Sequence, residues 1–178
     1  MNFKIGQKVA YPNIGVCSIE KTEFKQIGGI DVEFYSLRLL SNNSLVFIPI
    51  ANMNNLKLRP IINSVQCKKV LEYIADEFET VPTDWKVRSR EFGEKIQSGD
   101  IFKVADVLKM LNFQNKIKAL SFREQRIFEK AKFLIVSELA TVCSKPECQI
   151  EETINNLLAI SSKQHSIFEI ALATAANN

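Results

Sequence analysis

The one tryptophan of this 178-residue chain, Trp85, stands in the stretch Pro82-Thr83-Asp84-Trp85-Lys86-Val87-Arg88-Ser89-Arg90. Proline followed by Thr and Asp is a helix-start signal, so the indole belongs to a first helical turn, with Lys86, Arg88 and Arg90 close behind it. A large flat ring among cations suits one kind of chemistry, the recognition of nucleic acid. The cations neutralise phosphates, and the ring stacks on a base or wedges against an opened step. The same spacing admits a second reading. At 100° per residue Trp85 shares a helical face with Phe92 and Ile96, where a tryptophan can anchor a core. The charges flank the indole on both sides, Lys86 and Arg90 on one and Arg88 and Lys95 on the other, as on a ring that projects past the end of a helix bundle. These residues alone leave both readings open.

The charge distribution bears on the choice. The net charge is only +3, but residues 81–132 hold 12 Lys/Arg against 7 Asp/Glu, whereas 133–178 hold 2 against 5. The positive charge therefore sits in the block that Trp85 opens, although a charge run is more often a solvated face. Apolar residues make up 46% of the chain, ordinary for a globular protein, and the length fits one large or two small domains. No apolar run is long enough to span a bilayer, and Met1-Asn2-Phe3-Lys4-Ile5-Gly6 lacks the apolar stretch of a signal peptide, so a cytoplasmic protein is expected. Cys17, Cys67, Cys143 and Cys148 show no paired C-x-x-C and no histidine beside them. Thiols in a reducing compartment are expected, with no metal site and no cofactor.

The elements that must position Trp85 change character along the chain. Val9–Tyr11, Gly15–Phe24, Val32–Leu40 and Leu45–Ile50 are short runs rich in β-branched and aromatic residues, separated by turn chemistry at Pro12-Asn13, Gly28-Gly29 and Ser41–Ser44. They predict a small curved sheet or an SH3-like barrel. At Arg59-Pro60 the period changes from two to about 3.6. Asn63 or Ser64 caps a helix carrying Val65, Val70, Leu71, Ile74 and Phe78, which ends before Pro82. A second helix is expected from about Asp84 to Gln97, broken at Ser98-Gly99-Asp100, and a third to about Phe113 with Val104, Val107, Leu108 and Leu111 inside. Ser121-Phe122-Arg123-Glu124 is a capping box that opens a long fourth helix through Leu139. Pro146 opens a fifth, and Ser161-Ser162 reads as a polar break before a sixth over Ile167–Ala175. The expected fold is α+β in two domains: a β domain over 1–60 and a helical bundle of about five helices over 61–178.

Nucleotide-cradling G-x-x-x-x-G-K-[ST] and G-x-G-x-x-G patterns are absent, as is the G-x-S-x-G of serine hydrolases. His165, the one histidine, lies in a polar stretch and reads as a surface residue. Carboxylate pairs such as Glu151-Glu152 sit where they complement a helix dipole. An enzyme is disfavoured.

Several motifs together resemble the CarD/CdnL bacterial transcription regulators. Phe3-x-Ile5-Gly6-x-x-Val9-x-Tyr11-Pro12-x-x-Gly15 is similar to the start of their RNA polymerase-interacting domain, shared with the transcription-repair coupling factor. Pro82-Thr83-x-Trp85, Ser98-Gly99-Asp100-x-x-Lys103-Val104-Ala105 and Leu120-Ser121-x-x-Glu124 follow in the order of their helical domain. Three blocks at consistent spacing are more specific than any one of them. The resemblance covers about residues 1–160 and leaves 161–178 without an assigned role.

It implies a Tudor-like β domain that docks on the β subunit of RNA polymerase through Lys25, Ile27 and Phe47. It also implies a helical domain that meets promoter DNA at the upstream edge of the melted bubble, where Trp85 wedges into the minor groove and stabilises the open complex. Arg90 is an implied DNA-facing cation, and the DNA-binding set expected with it is Lys86, Arg88 and Lys95, which flank the indole, together with Arg123 and Arg126. Phe47 stands where better-known members carry a basic residue, and Gln125 replaces a lysine of the fourth helix, a loss that Arg123 or Arg126 can offset. DNA contacts of this kind carry little base information. The expected protein is a non-enzymatic regulator, a monomer with no membrane partner. Two rivals stand beside it. Tyr11, Phe24, Phe34, Tyr35 and Phe47 could form an aromatic cage for a peptide, although at strand spacing they are more often core, and distant carboxylates could assemble an active site.

Overall fold

The structure, a computed structural model, describes residues 3–53, 55–78 and 84–176, with the side chains of residue 85 and of 167–176 excepted. Its first part is a five-stranded antiparallel sheet of β1 (Lys8–Tyr11), β2 (Gly15–Ile27), β3 (Ile30–Leu39), β4 (Leu45–Pro49) and β5 (Arg59–Pro60), in the order β4-β3-β2-β1-β5. The ladder is open between β4 and β5, so the curved-sheet form of the expectation is the one found, not a closed barrel. Alternation explains the inner face. Cys17, Ile19, Tyr35, Leu37 and Ile48 point into a core with Phe3, Val9, Met53 and Leu58. A bulge between Ile19 and Lys21 breaks the register there, and Glu20 at the bulge pairs with Arg38. Beyond the bulge the β2–β3 hairpin projects past the core and leaves Phe24, Ile27 and Ile30 exposed.

The second part is helical: α1 (Ser64–Ala75), α2 (Trp85–Gln97), α3 (Ile101–Ile117), α4 (Phe122–Cys143) and α5 (Glu147–Ala176). The capping chemistry sets the starts. Asn63 and Gln66 form a reciprocal capping box on α1, Ser121 and Glu124 form another on α4, and Asp84 and Asp100 cap α2 and α3. α3 runs four residues past the expected Phe113. The core of this part is built on Val70, Ile74, Phe92, Ile96, Leu108, Leu111, Ile135, Leu139 and Ile154.

Two expectations are corrected here. Ser161 and Ser162 do not interrupt the last helix, and α5 is continuous. Ser162 Oγ donates to the Leu158 carbonyl of its own helix and Ser161 Oγ donates to the Asp76 carbonyl at 2.7 Å, so neither hydroxyl competes with the helix. His165 is fully buried, not at the surface: its ring stacks on Phe78 at 4.0 Å and meets Phe113 edge-on at 4.6 Å. The four cysteines are thiols. Cys67 and Cys143 lie with their sulfurs 3.3 Å apart, and burial pushes the Cys67 thiol up to about 12.

The sheet and the helices meet through a polar strut. Arg59 of β5 holds Glu138 of α4 with both guanidinium branches, at 2.5 and 2.8 Å, and its Nε donates to the Gly99 carbonyl at 2.6 Å. The Ile62 N–H donates to the same carboxylate at 3.0 Å. Two glycines let the backbones approach. A Cβ on Gly15 would stand 3.1 Å from the Phe133 ring, and one on Gly99 would stand 2.9 Å from the Pro12 ring, both at positive φ. The Arg59-Pro60 boundary is thus a paired strand and a strut, not a slack connection.

Candidate functional site

α2 begins at Trp85. The Asp84 carboxylate accepts from the Lys86 N–H at 2.8 Å, which places the indole-bearing residue in the first turn, as the sequence indicated. Pro82 and Thr83, and the Trp85 side chain, lie outside what the structure describes. Phe92 and Ile96, further along α2, are buried in the helical core.

Arg88, one turn after Trp85, departs from expectation. It is not a cation presented to solvent: its side chain is 9% exposed, and Nε and Nη2 both donate to Glu124 Oε1, at 3.0 and 2.5 Å. The other oxygen of Glu124 closes the α4 capping box, accepting from the Ser121 N–H at 3.0 Å and the Ser121 hydroxyl at 2.7 Å. One carboxylate therefore ties the first turn of α2 to the first turn of α4. Lys95 is also engaged inside the fold, donating to Asp106 at 3.2 Å, a carboxylate whose other oxygen accepts from the Tyr73 hydroxyl at 2.5 Å. Sequence could not show this, because Glu124 and Asp106 are 36 and 11 positions from the cations they hold.

Burial raises the proton affinity of Glu124, but the Ser121 hydroxyl and amide and the Arg88 guanidinium outweigh it and hold the carboxyl below the ordinary carboxylate range. A lowered folded-state pKa stabilises at pH above the unfolded value, and that contribution disappears as pH falls through the lowered one. The gap in melting temperature between wild type and Glu124→Gln should therefore be widest near neutrality and narrow on acidification; a gap independent of pH would contradict this role.

The other cations remain at the surface. Lys86 and Arg90 on α2 and Arg123 and Arg126 on α4 are exposed, and the Arg90 pair with Glu94 is long, at 3.9 Å. An open groove has Arg123, Arg126 and Lys130 on its α4 wall and Gly93, Ile96 and Gln97 on its α2 wall. Lys130 was missed in the sequence, although 123, 126 and 130 share a face at helical spacing. Gln125 donates to Glu129 at 3.0 Å. Neighbouring helix starts add partial positive charge to the same end of the bundle.

In the sheet, β4 is an edge strand. Lys25 lies with Nζ 3.1 Å from the Phe47 ring centre and 3.1 Å from Glu23 Oε1, so the structure brings Lys25 and Phe47 together. The hydrogen bonds from Lys21 and Lys25 hold the Glu23 carboxyl below its ordinary range. Ile27 is exposed further along the same hairpin. The aromatic cage does not assemble as such. Tyr35 is in the sheet core and Tyr11 packs against it, Phe24 is solvent-exposed, and the cation over Phe47 is the chain's own Lys25. The carboxylates that gather between α4 and α5, Glu129, Glu147 and Glu151, are exposed; Glu151 is paired with Lys132 and Glu129 accepts from Gln125. No described helix is long and apolar enough to cross a membrane.

Two family models match the chain. Residues 3–62 match the CarD-like/TRCF RID domain and residues 69–155 match the CarD C-terminal domain. The chain is similar to the curated Bacillus subtilis (strain 168) protein named "Putative transcription factor YdeB", at 28% identity over 149 residues that cover 84% of this chain and 97% of that protein. The solution NMR structure of the 72-residue N-terminal domain of Myxococcus xanthus CarD matches 33% of this chain and 79% of its own, at 25% identity and a TM-score of 0.29. The two models follow each other on either side of the strut, in the order of the sheet and the bundle. The chain is a transcription regulator that belongs to the CarD/CdnL family.

Proposed function

We propose that the protein is a non-enzymatic cytoplasmic monomer in which residues 1–60 bind the β subunit of RNA polymerase and residues 61–178 hold promoter DNA at the upstream edge of the bubble, stabilising the open complex. The observation that carries the DNA half is the Arg88–Glu124 tie. It sets the starts of α2 and α4 side by side, with Lys86, Arg90, Arg123 and Arg126 exposed around them and Trp85 in the first turn. Phosphate neutralisation of this kind is insensitive to sequence, so the polymerase supplies promoter choice.

The polymerase half is supported by the edge strand β4, whose outer hydrogen-bonding groups can pair with a strand of a partner beside Lys25 and Phe47. Lys25→Glu should abolish the cation over the Phe47 ring and weaken polymerase capture by the full chain, with little change in melting temperature because Lys25 is a surface residue. Undiminished capture in a pull-down with purified polymerase would show that the contact lies elsewhere.

The DNA half has a number attached. Lys86, Arg90, Arg123 and Arg126 each meeting one phosphate give a slope of log K against log salt of about −3.6, from about −0.9 per phosphate. Arg88 and Lys95, being held inside the fold, add nothing to it. A fluorescence titration of the full chain on duplex DNA checks this, and a slope near zero would exclude phosphate contacts.

A further inference from the structure

Phe122 is the first residue of α4 and is 80% exposed, more than any other large apolar side chain among the described residues. A solitary apolar side chain on a surface is ordinary. What sets Phe122 apart is its place. Its neighbours in sequence are Ser121 and Arg123, the cap of α4 and an exposed cation, and Arg126 lies one turn on with its guanidinium 5.9 Å from the Phe122 ring centre. Glu124, two positions past Phe122, is the residue that Arg88 grips. Through that grip the first turn of α4, led by Phe122, is fixed beside the first turn of α2, led by Trp85.

We propose that Phe122 is a second DNA-stacking residue, acting with Trp85 on the same opened junction of the duplex. This rests on the reading of α2 and α4 as the DNA-facing end. A benzyl ring at a helix start is well suited to such a role. The backbone N–H groups of the first turn and the flanking Arg123 and Arg126 attract phosphate, which brings the strand alongside, and the ring then covers the face of a base that has lost its stacking partner. Every base has such a face, so the contact is indifferent to sequence, as are the phosphate contacts around it. The capping box and the Arg88–Glu124 pair hold the backbone under the ring still, so only the ring's own side-chain torsions are left to be ordered on stacking.

The experiment compares full-length Phe122→Ala, Phe122→Leu, Phe122→Tyr and Trp85→Ala in an open-complex lifetime assay with polymerase, alongside thermal melts and polymerase pull-downs. Phe122 is barely buried, so the three Phe122 variants should melt within about 2 °C of wild type. Phe122→Ala should shorten the lifetime by about 5-fold or more, Phe122→Leu should behave like it because it keeps apolar bulk without a π face, and Phe122→Tyr should retain most of the effect. A wild-type lifetime for Phe122→Ala alongside a shortened one for Trp85→Ala would overturn this assignment and leave the DNA-facing reading intact. Wild-type lifetimes for both would overturn that reading and the assignment together. Loss of polymerase capture by Phe122→Ala, or full activity of Phe122→Leu, would also overturn it, since the ring would then be an ordinary protein contact.

Discussion

Glu138→Ala lowers the melting temperature of the full chain by about 6 to 12 °C, the fall expected from about 3 kcal/mol in a chain of this size. The carboxylate is 5% exposed and accepts from Arg59 at 2.5 and 2.8 Å and from the Ile62 N–H at 3.0 Å. Removing it strands a guanidinium and an amide that lost their water on folding. Breaking a buried pair typically costs about 3 to 5 kcal/mol, and the low end applies because Arg59 is 28% exposed and regains some hydration. The double variant Arg59→Leu/Glu138→Leu should recover much of the loss, since no charge is then left without a partner. A scanning calorimetry shift below about 2 °C for Glu138→Ala would mean the strut contributes nothing measurable.

Trp85→Ala should leave the fold nearly as stable as wild type while removing most of the open-complex stabilisation. Stacking of one ring on a base contributes about 1 to 3 kcal/mol, which changes the ratio of open to closed complex by roughly 5- to 150-fold. A buried tryptophan behaves differently, because truncating it costs about 3 to 5 kcal/mol of folding stability. Polymerase binding should persist in the variant, because Lys25 and Phe47 sit on the sheet and Trp85 on the bundle. A collapsed melting transition would place the indole in the core and end the wedge reading.

Much of the architecture can be read from local chemistry. The Ser121–Glu124 capping box is local chemistry and is found, and of the two caps the sequence offers for α1, Asn63 or Ser64, Asn63 is the one that serves, in a box with Gln66. The alternation of Cys17, Ile19, Tyr35 and Leu37 marks the inner face of the sheet in the same way. What escapes is anything decided by a partner far along the chain. Arg88 and Arg90 have the same chemistry two positions apart, yet one faces Glu124 and is buried whereas the other is solvated. Ser161-Ser162 looks like a polar break until the distant Asp76 carbonyl is seen to take the Ser161 hydroxyl. Glu138 gave a faint signal as a lone charge in Leu134-Ile135-Val136-Ser137-Glu138-Leu139-Ala140, a sign of a buried polar partnership. Lys109 is similar: it lies in an apolar run, and its amine donates to the Tyr73 carbonyl in the last turn of α1 and to the Glu77 carbonyl just past its end, while burial lowers its pKa. His165 gave no signal, because polar neighbours along a helix do not reveal which residues face inward.

The packing of His165 against Phe78 has an evolutionary consequence. The histidine lies past residue 155, where the match to the CarD C-terminal domain stops, whereas Phe78 and Phe113 lie inside it. A ring that fills space between two others cannot be lost without leaving a hole, so selection should act on positions 78 and 165 together although 87 positions separate them. Across aligned family members the two should change in concert. Homologues whose last helix is shorter should carry a smaller or more polar residue in place of Phe78, and grafting the end of α5 onto such a homologue should help only when the aromatic is grafted with it.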